Sequence, residues 1–426
     1  MARNTSIDLR NLNIYQVFVR QFSKTHDFKG VIKKLDHIKS QNYDLIYLLP
    51  IHPIGKERRK GSVGSPYSIS NYYEVNPDYG TMDDFKRLLS EVHQRDMKLM
   101  IDIVFNHTSH DADYTKTNPE WYYRKEDGSF SNRVGDWWDI IDFKFEDNLE
   151  LEDELINVLM HWAKLGVDGF RCDVAPLLPL DFWVKARNML NTINPNLIYL
   201  SESVHLGFIK YLRDLGYEAY SDSEIYQAFD ICYDYDIFDD FINYFKQGES
   251  IQKWIDNLIK QEGAYPSNYV KLRFLENHDQ ERIAKYIKNP SQLRSVSALL
   301  YFLKGATMIY NGQECGATKR PDLFEIDEIS WDTYNYASIA DIFKKMSKLK
   351  KDLEYLNGVM NIELLNNHVL EFRYELPDKL VIGIFNISPN KQKVIIKYQG
   401  IDYLSNRAIS EGMQKIEEPI VLIIKK

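Results

Sequence analysis

Residues 149–175, LELEDELINVLMHWAKLGVDGFRCDVA, decide the architecture. Leu151, Leu155, Leu159 and Trp162 share one helical face, so the first part reads as an amphipathic helix. It feeds directly into an apolar run that is short enough for a buried strand and is interrupted by Arg171 and Asp173. A helix delivered onto a buried strand is half of a βαβ unit. The two charges are two residues apart, so both side chains point to the same side of that strand. Charges are rarely buried without a partner or a task.

Working outward, the same alternation continues for most of the chain. NIYQVFVR (13–20), YDLIYLLP (43–50), KLMIDIVFNH (98–107), LIYLSES (197–203), VKLRFLENHD (270–279) and ATMIYNGQE (306–314) read as further strands. DFKGVIKKLDHIKSQ has helical spacing. Thr81 is placed to cap MDDFKRLLSEVHQRD, whose Phe85, Leu88, Leu89 and Val92 lie on one face. Eight βα units closed into a barrel need about 250 residues, which 1–107 and 149–350 supply. A doubly wound open sheet is the alternative, and it calls for a glycine-rich phosphate loop after an early strand; none is present.

Between 108 and 148 the rhythm stops in a polar, aromatic stretch too long for an ordinary connection, which predicts an inserted domain after the third strand. From 355 to 426 the apolar period changes to two, in HVLEFRYEL, KLVIGIFNIS, QKVIIKYQG and PIVLIIKK. That predicts a C-terminal antiparallel β domain, a sandwich at most. The expected fold is α/β: a (β/α)8 TIM barrel with a short inserted domain and a C-terminal β-sandwich.

The bulk chemistry excludes several functions. Acidic residues outnumber basic ones, 62 to 53, for a formal charge of -9, against the basic stripe of a nucleic-acid binder. Cys172, Cys232 and Cys315 are scattered without CxxC spacing, so neither a disulfide framework nor a zinc site follows. No run approaches membrane-spanning length, and MARNTSIDLRN lacks the apolar core of a signal peptide, so a cytoplasmic enzyme is expected. Nothing in the sequence marks an oligomeric state. The 29 tyrosines suit stacking against sugar faces, and equally suit partly wet surfaces.

Four of the strands carry ionisable residues at their C-terminal ends: Asp102, Asn106 and His107; Arg171 and Asp173; Glu202; and Asn277, His278 and Asp279. In a barrel those ends converge on one face, where active sites are built. Taken singly, each has a plain reading: an aspartate after a strand caps a helix, a lone histidine is structural, and Arg171–Asp173 fills the barrel as an ion pair. Together they form a set. Arg171 would keep Asp173 ionised as a nucleophile, with Asp102 holding the arginine from behind. Glu202 follows the apolar LIYL, a setting that favours keeping a proton for a leaving oxygen. Paired carboxyls of this kind are the equipment of retaining glycoside hydrolysis. Asp279 would stabilise positive charge or hold hydroxyls, and His107, Asn277 and His278 would be fixed donors and acceptors for a hydroxyl-rich substrate. Tyr67, in GSPYSISNYY, can stack on a pyranose or simply pack.

These stretches resemble the four signatures of the α-amylase family of glycoside hydrolases (family 13), in family order: DIVFNH, GFRCDVA, the glutamate of SES, and ENHDQ. SPYSISNYYEVNPDYGTMDDF and MIYNGQE resemble flanking family stretches, and the likeness runs along essentially the whole chain. The resemblance implies Asp173 as nucleophile, Glu202 as acid/base and Asp279 as the third essential carboxylate. Arg171, His107 and His278 would position sugar and nucleophile, and Tyr67 would be the stacking platform. It implies a (β/α)8 barrel, a domain inserted after strand three and a C-terminal β-sandwich.

The implied activity is hydrolysis of α-1,4 bonds in maltooligosaccharides or starch-derived dextrins. The alternatives are an α-glucosidase, including α-1,6 action, a transglycosylase or isomerase working on sucrose, trehalose or isomaltose, and a carbohydrate-binding descendant without catalysis. Two departures bear on these. The lysine–histidine pair that many relatives carry after the nucleophile is replaced by VAPLLP, and a valine there, as at Val174, accompanies α-1,6 cleavage in related α-glucosidases. No cofactor is required by the chemistry. Calcium stays open: Asn106 matches a family ligand and Asp142, in DIIDFKF, a second, where a site wants six to eight oxygens.

Overall fold

The computed structural model describes residues 4–331 and 337–426. Eight short strands form the centre: β1 (Asn13–Val17), β2 (Leu45–Leu48), β3 (Lys98–Ile103), β4 (Gly169–Cys172), β5 (Ile198–Ser201), β6 (Ile231–Tyr233), β7 (Lys271–Arg273) and β8 (Ala306–Tyr310). Each pairs in parallel with the next, and β8 closes on β1 with Asn13 opposite Thr307. The register sets Asp102 of β3 beside Arg171 of β4. The expected (β/α)8 barrel is the fold.

Strand ends fall earlier than the apolar runs suggest. The run 13–20 leaves the sheet at Phe18, whose N–H donates to the Asn311 side chain at 2.7 Å, and turns into the short helix Val19–Phe22. The run 98–107 stops at Ile103, and His107–Thr108 then pairs antiparallel with Ile141–Asp142 in a separate ribbon. The helical stretch after β1 is two short helices, Phe28–Ile32 and Leu35–Ser40. β6 was not foreseen, because three residues, ICY, show no period. β7 carries two buried cations. Lys271 pairs with Asp222 and, at 2.8 Å, with Asp236, and Arg273 pairs with Asp234 at 2.7 Å. Those partners let a strand containing Lys and Arg lie under a layer of helices.

Local chemistry defines the helices that hold the rim in place. Met82–His93 starts with a reciprocal capping box between Thr81 and Asp84, and its predicted face, Phe85, Leu88, Leu89 and Val92, is buried. Leu149–Leu165 is capped by the Asn148 side chain and ends at Gly166, where φ is 104°, a conformation that glycine adopts without strain. Trp162 on this helix is wholly buried; its Nε1–H donates to Tyr72 O at 2.9 Å and its ring meets Phe85 edge-on at 5.4 Å.

The C-terminal part begins with β9 (Val359–Asn366), β10 (Val369–Glu375) and β11 (Lys379–Asn386), continues with β12 (Gln392–Ile396) and β13 (Gly412–Ile416), and ends with β14 (Ile420–Lys425). One antiparallel sheet runs β9-β10-β11-β14, and β12–β13 is a two-stranded ribbon over it. Alternation along β11 serves two cores. Val381 and Phe385 join the barrel's core, while Ile382 and Ile384 pack with Val394, Ile396 and Ile416 of the ribbon. Tyr374 ties the sheet to the barrel by donating to Phe302 O at 2.8 Å.

Candidate active site

The C-terminal strand ends open into a cavity of about 450 Å³, whose lining includes Tyr67, His107, Asp173, Glu202, His278 and Asp279. That is a typical volume for a small-ligand pocket. The three carboxylates singled out in the sequence therefore face one space. Arg171, Asp102 and Asn277 are fully buried and have no place in the lining.

Beneath the floor, Arg171 serves three carboxylates. Its Nη1 donates to both oxygens of Asp102, at 2.8 and 3.0 Å, and to Asp173 Oδ1 at 2.9 Å. Its Nη2 lies 2.8 Å from Glu202 Oε1, an ion pair out of hydrogen-bonding line, and Nε finds no acceptor among the described residues. Asp102 holds the arginine from behind, as expected, and is itself held: Tyr47 and Tyr67 both donate to its Oδ2, at 2.6 and 3.0 Å.

A second set of bonds orients the opposite wall. Tyr67 and His278 stack at 5.3 Å, 13° from parallel, so Tyr67 spends one face on a protein ring. Gln16 Nε2 lies 3.3 Å from His278 Nδ1; as a donor-only group it makes Nδ1 the acceptor, which leaves the ring hydrogen on Nε2. That nitrogen faces Tyr67 Oη at 2.5 Å and Asp279 Oδ2 at 3.0 Å. Asn277, expected to meet substrate, instead braces the loop. Its Oδ1 accepts from the N–H of Asp279 and of Gln280, and its Nδ2 donates to Tyr235.

Burial dominates the proton affinities. It pushes the Asp173 carboxyl well above its ordinary value, the nearby Glu202 adds to this, and Arg171 opposes both. The sequence expectation, that Arg171 would depress Asp173, counted the cation and left out burial and the Glu202 carboxylate. Burial likewise raises Asp102 to about 6 and raises Asp279. It lowers His278 to about 3 and lowers His107, so both rings are neutral at pH 7.

The chain turns sharply after Asp173. Val174 has φ 35° and ψ 41°, the left-handed region that a β-branched residue occupies only under strain. This turn aims the Val174 N–H at Glu202 Oε2, 2.9 Å away. Tyr47, Gln16 and the Val174 amide escaped the sequence reading, since nothing local distinguishes them from core residues. Part of the cavity wall is aromatic, with Trp137 and Phe208 at 6.3 Å and His205 against Tyr235 at 5.1 Å. Also in the lining, Lys60 meets Asp139 at 2.7 Å and overlies the Phe324 ring, joining the loops after β2 and β8 to the segment 108–148.

The two calcium candidates are already satisfied. Arg133 donates from Nη2 to Asn106 Oδ1, and from N and Nε to Asp142 Oδ2, both at 3.0 Å. Two oxygens that share a guanidinium do not fit a cation that takes six to eight oxygen ligands. No cluster of three or more His, Cys, Asp or Glu side chains suited to a metal occurs among the described residues.

The model of the α-amylase catalytic domain matches residues 16–139 and 118–356. The solved α-amylase of Lactobacillus plantarum is 36% identical, with a TM-score of 0.93, over 98% of this chain and 100% of that one. A noncanonic maltogenic α-amylase from Thermotoga neapolitana is 31% identical, with a TM-score of 0.88, over 98% and 100%. An α-1,4-glucan:maltose-1-phosphate maltosyltransferase of Picrophilus torridus is 27% identical over 90% of this chain, which spans 62% of that protein's length.

Proposed function

The chain belongs to the α-amylase family of glycoside hydrolases, and from that premise we propose that it is a retaining α-glucan hydrolase cleaving α-1,4 bonds of maltooligosaccharides or starch-derived dextrins. The observation that carries this reading is the Arg171 fork. Asp173 and Glu202 touch neighbouring nitrogens of one guanidinium, which supports the carboxyl spacing of about 5–5.5 Å used by retaining enzymes over the wider gap of inverting ones.

In the first step Glu202 gives its proton to the glycosidic oxygen. Asp173 Oδ2, the oxygen Arg171 leaves free, attacks the anomeric carbon, and the carbon–oxygen bond to the leaving sugar breaks. Asp279, held by His278, faces the positive charge that develops on the ring. In the second step Glu202 takes a proton from water, the water oxygen bonds to the anomeric carbon, and the ester to Asp173 breaks. The configuration is inverted twice and so retained.

The chain divides, in this reading, into a barrel of 1–107 and 149–350, an inserted domain of 108–148 and a C-terminal domain of 355–426. No cofactor takes part. The Lys60–Asp139 closure favours short substrates. Three unpaired cysteines agree with a reducing, cytoplasmic setting. Among the described residues no helix is long and apolar enough to cross a membrane. The aromatic part of the cavity wall favours one second reading, transfer to a sugar hydroxyl in place of water.

Incubation with maltotetraose, sucrose, trehalose and isomaltose, with chromatography of products and NMR of the first anomer released, tests this. Maltotetraose should be cut to α-configured products. Release of the β anomer, or inertness towards maltotetraose, refutes it.

A further inference from the structure

Arg133 is nearly buried, with 7% of its side chain exposed, and spends every nitrogen of its guanidinium. Besides Asn106 and Asp142 it reaches Leu177 O at 3.3 Å, in the loop after β4, and lies over the rings of Tyr123 and Tyr217 at 5.5 and 5.7 Å. It thus joins the end of β3, the inserted ribbon and the turn that follows Asp173. A guanidinium only donates, so the atom of Asn106 facing it must be the amide oxygen. The amide nitrogen is thereby turned the other way, where Nδ2 meets His107 Nδ1 at 3.1 Å.

We infer that Arg133 is a positioning residue, fixing through Asn106 which ring nitrogen of His107 carries the hydrogen, and filling with its own charge the place a divalent cation would otherwise take. Nδ2 of Asn106 donates, so Nδ1 of His107 accepts and the hydrogen sits on Nε2. His107 lines the cavity and also faces the Tyr67 carbonyl, so in this reading Nε2–H is the donor it brings to a sugar hydroxyl there. A flipped Asn106 would move the hydrogen to Nδ1 and turn that donor into an acceptor. The buried Asp142 carboxylate is neutralised by the same guanidinium, which would repel an incoming calcium ion. The inference rests on the reading that His107 meets the substrate, and its test keeps the two apart.

The experiment uses the full chain with ¹⁵N-labelled histidine, His107 being assigned by the signal lost in His107→Phe. Long-range ¹H–¹⁵N NMR should find the hydrogen on Nε2 in the wild type. Asn106→Asp keeps a partner for Arg133 and has no donor for His107; it should move the hydrogen to Nδ1 and lower kcat/KM on maltotetraose about tenfold, the loss of one directed hydrogen bond. Arg133→Met should do the same and also lower Tm. Calcium chloride or a chelator should shift the wild-type Tm by no more than about 1 °C, since a ligand stabilises only a fold that binds it. A wild-type hydrogen on Nδ1, a tautomer unmoved in either variant, or a saturable calcium shift would overturn the inference. A moved hydrogen with unchanged kcat/KM would instead overturn the placing of His107 at the sugar.

Discussion

Asp173→Asn separates the chemistry of the proposed nucleophile from its part in folding. The substitution keeps volume and shape, and an amide Oδ1 can accept the Arg171 Nη1 bond now made at 2.9 Å. What changes is charge. Burial and the Glu202 carboxylate hold the Asp173 carboxyl well above its ordinary 3.8. A carboxyl raised in the folded state contributes stability that is complete below about pH 4 and is lost as pH rises through the folded value, about 1.36 kcal/mol for each unit of the rise. At pH 7 the raised carboxyl therefore works against the fold, and the neutral amide removes that cost. The variant should melt at or above the wild-type Tm at pH 7, with its advantage shrinking towards pH 4. Turnover should collapse, because an amide cannot form the glycosyl ester. Loss of a nucleophile costs about 10⁴-fold or more in kcat, equivalent to about 5.5 kcal/mol in the barrier. The assay pairs reducing-end release from maltotetraose with thermal unfolding at pH 4, 5.5 and 7. A kcat within tenfold of wild type removes Asp173 from the nucleophile's role; a Tm that falls at pH 7 more than at pH 4 refutes the electrostatic account.

Glu202→Gln should lower kcat on maltotetraose by about 10²–10⁴-fold and spare 4-nitrophenyl α-maltoside, whose phenolate departs without a proton; equal losses on both would rule out Glu202 as the acid. Asp102→Asn should flatten part of the pH dependence of stability. Asp102 is raised from 3.8 to about 6, so the wild type should lose about 2.5 kcal/mol relative to the variant between pH 4 and pH 7, with the loss centred near pH 5 and levelling off above pH 6. Denaturant unfolding across that range checks it, and parallel curves would contradict it.

Much of this site was legible before any coordinates. Asp173 and Glu202 each follow a short, mostly apolar run, Asp279 ends the strand-like VKLRFLENHD, and strand parity alone puts Arg171 and Asp173 on one side. Once the strands close in parallel, their C-terminal ends must share a rim, so one cavity follows from several local patterns. The helix faces of Phe85–Val92 and Leu151–Trp162 were likewise local, resting on spacing and caps. β6 was not, since three residues carry too little periodicity to read.

What the tertiary structure alone decided depends on how many groups share a partner. Sequence pairs Asp173 with Arg171 and sets Asp102 behind it; only the fold puts Glu202 on the same guanidinium, and burial then reverses the expected shift of Asp173. Sequence puts Asn277 with its motif; only the fold turns it beneath the floor to brace Asp279. Sequence offers Asn106 and Asp142 as calcium oxygens; only the fold brings Arg133 between them. Periodicity is a property of neighbours along the chain, and it survives in the letters. Desolvation and the sharing of one charge among several are properties of neighbours in space, and they exist only once the barrel has closed.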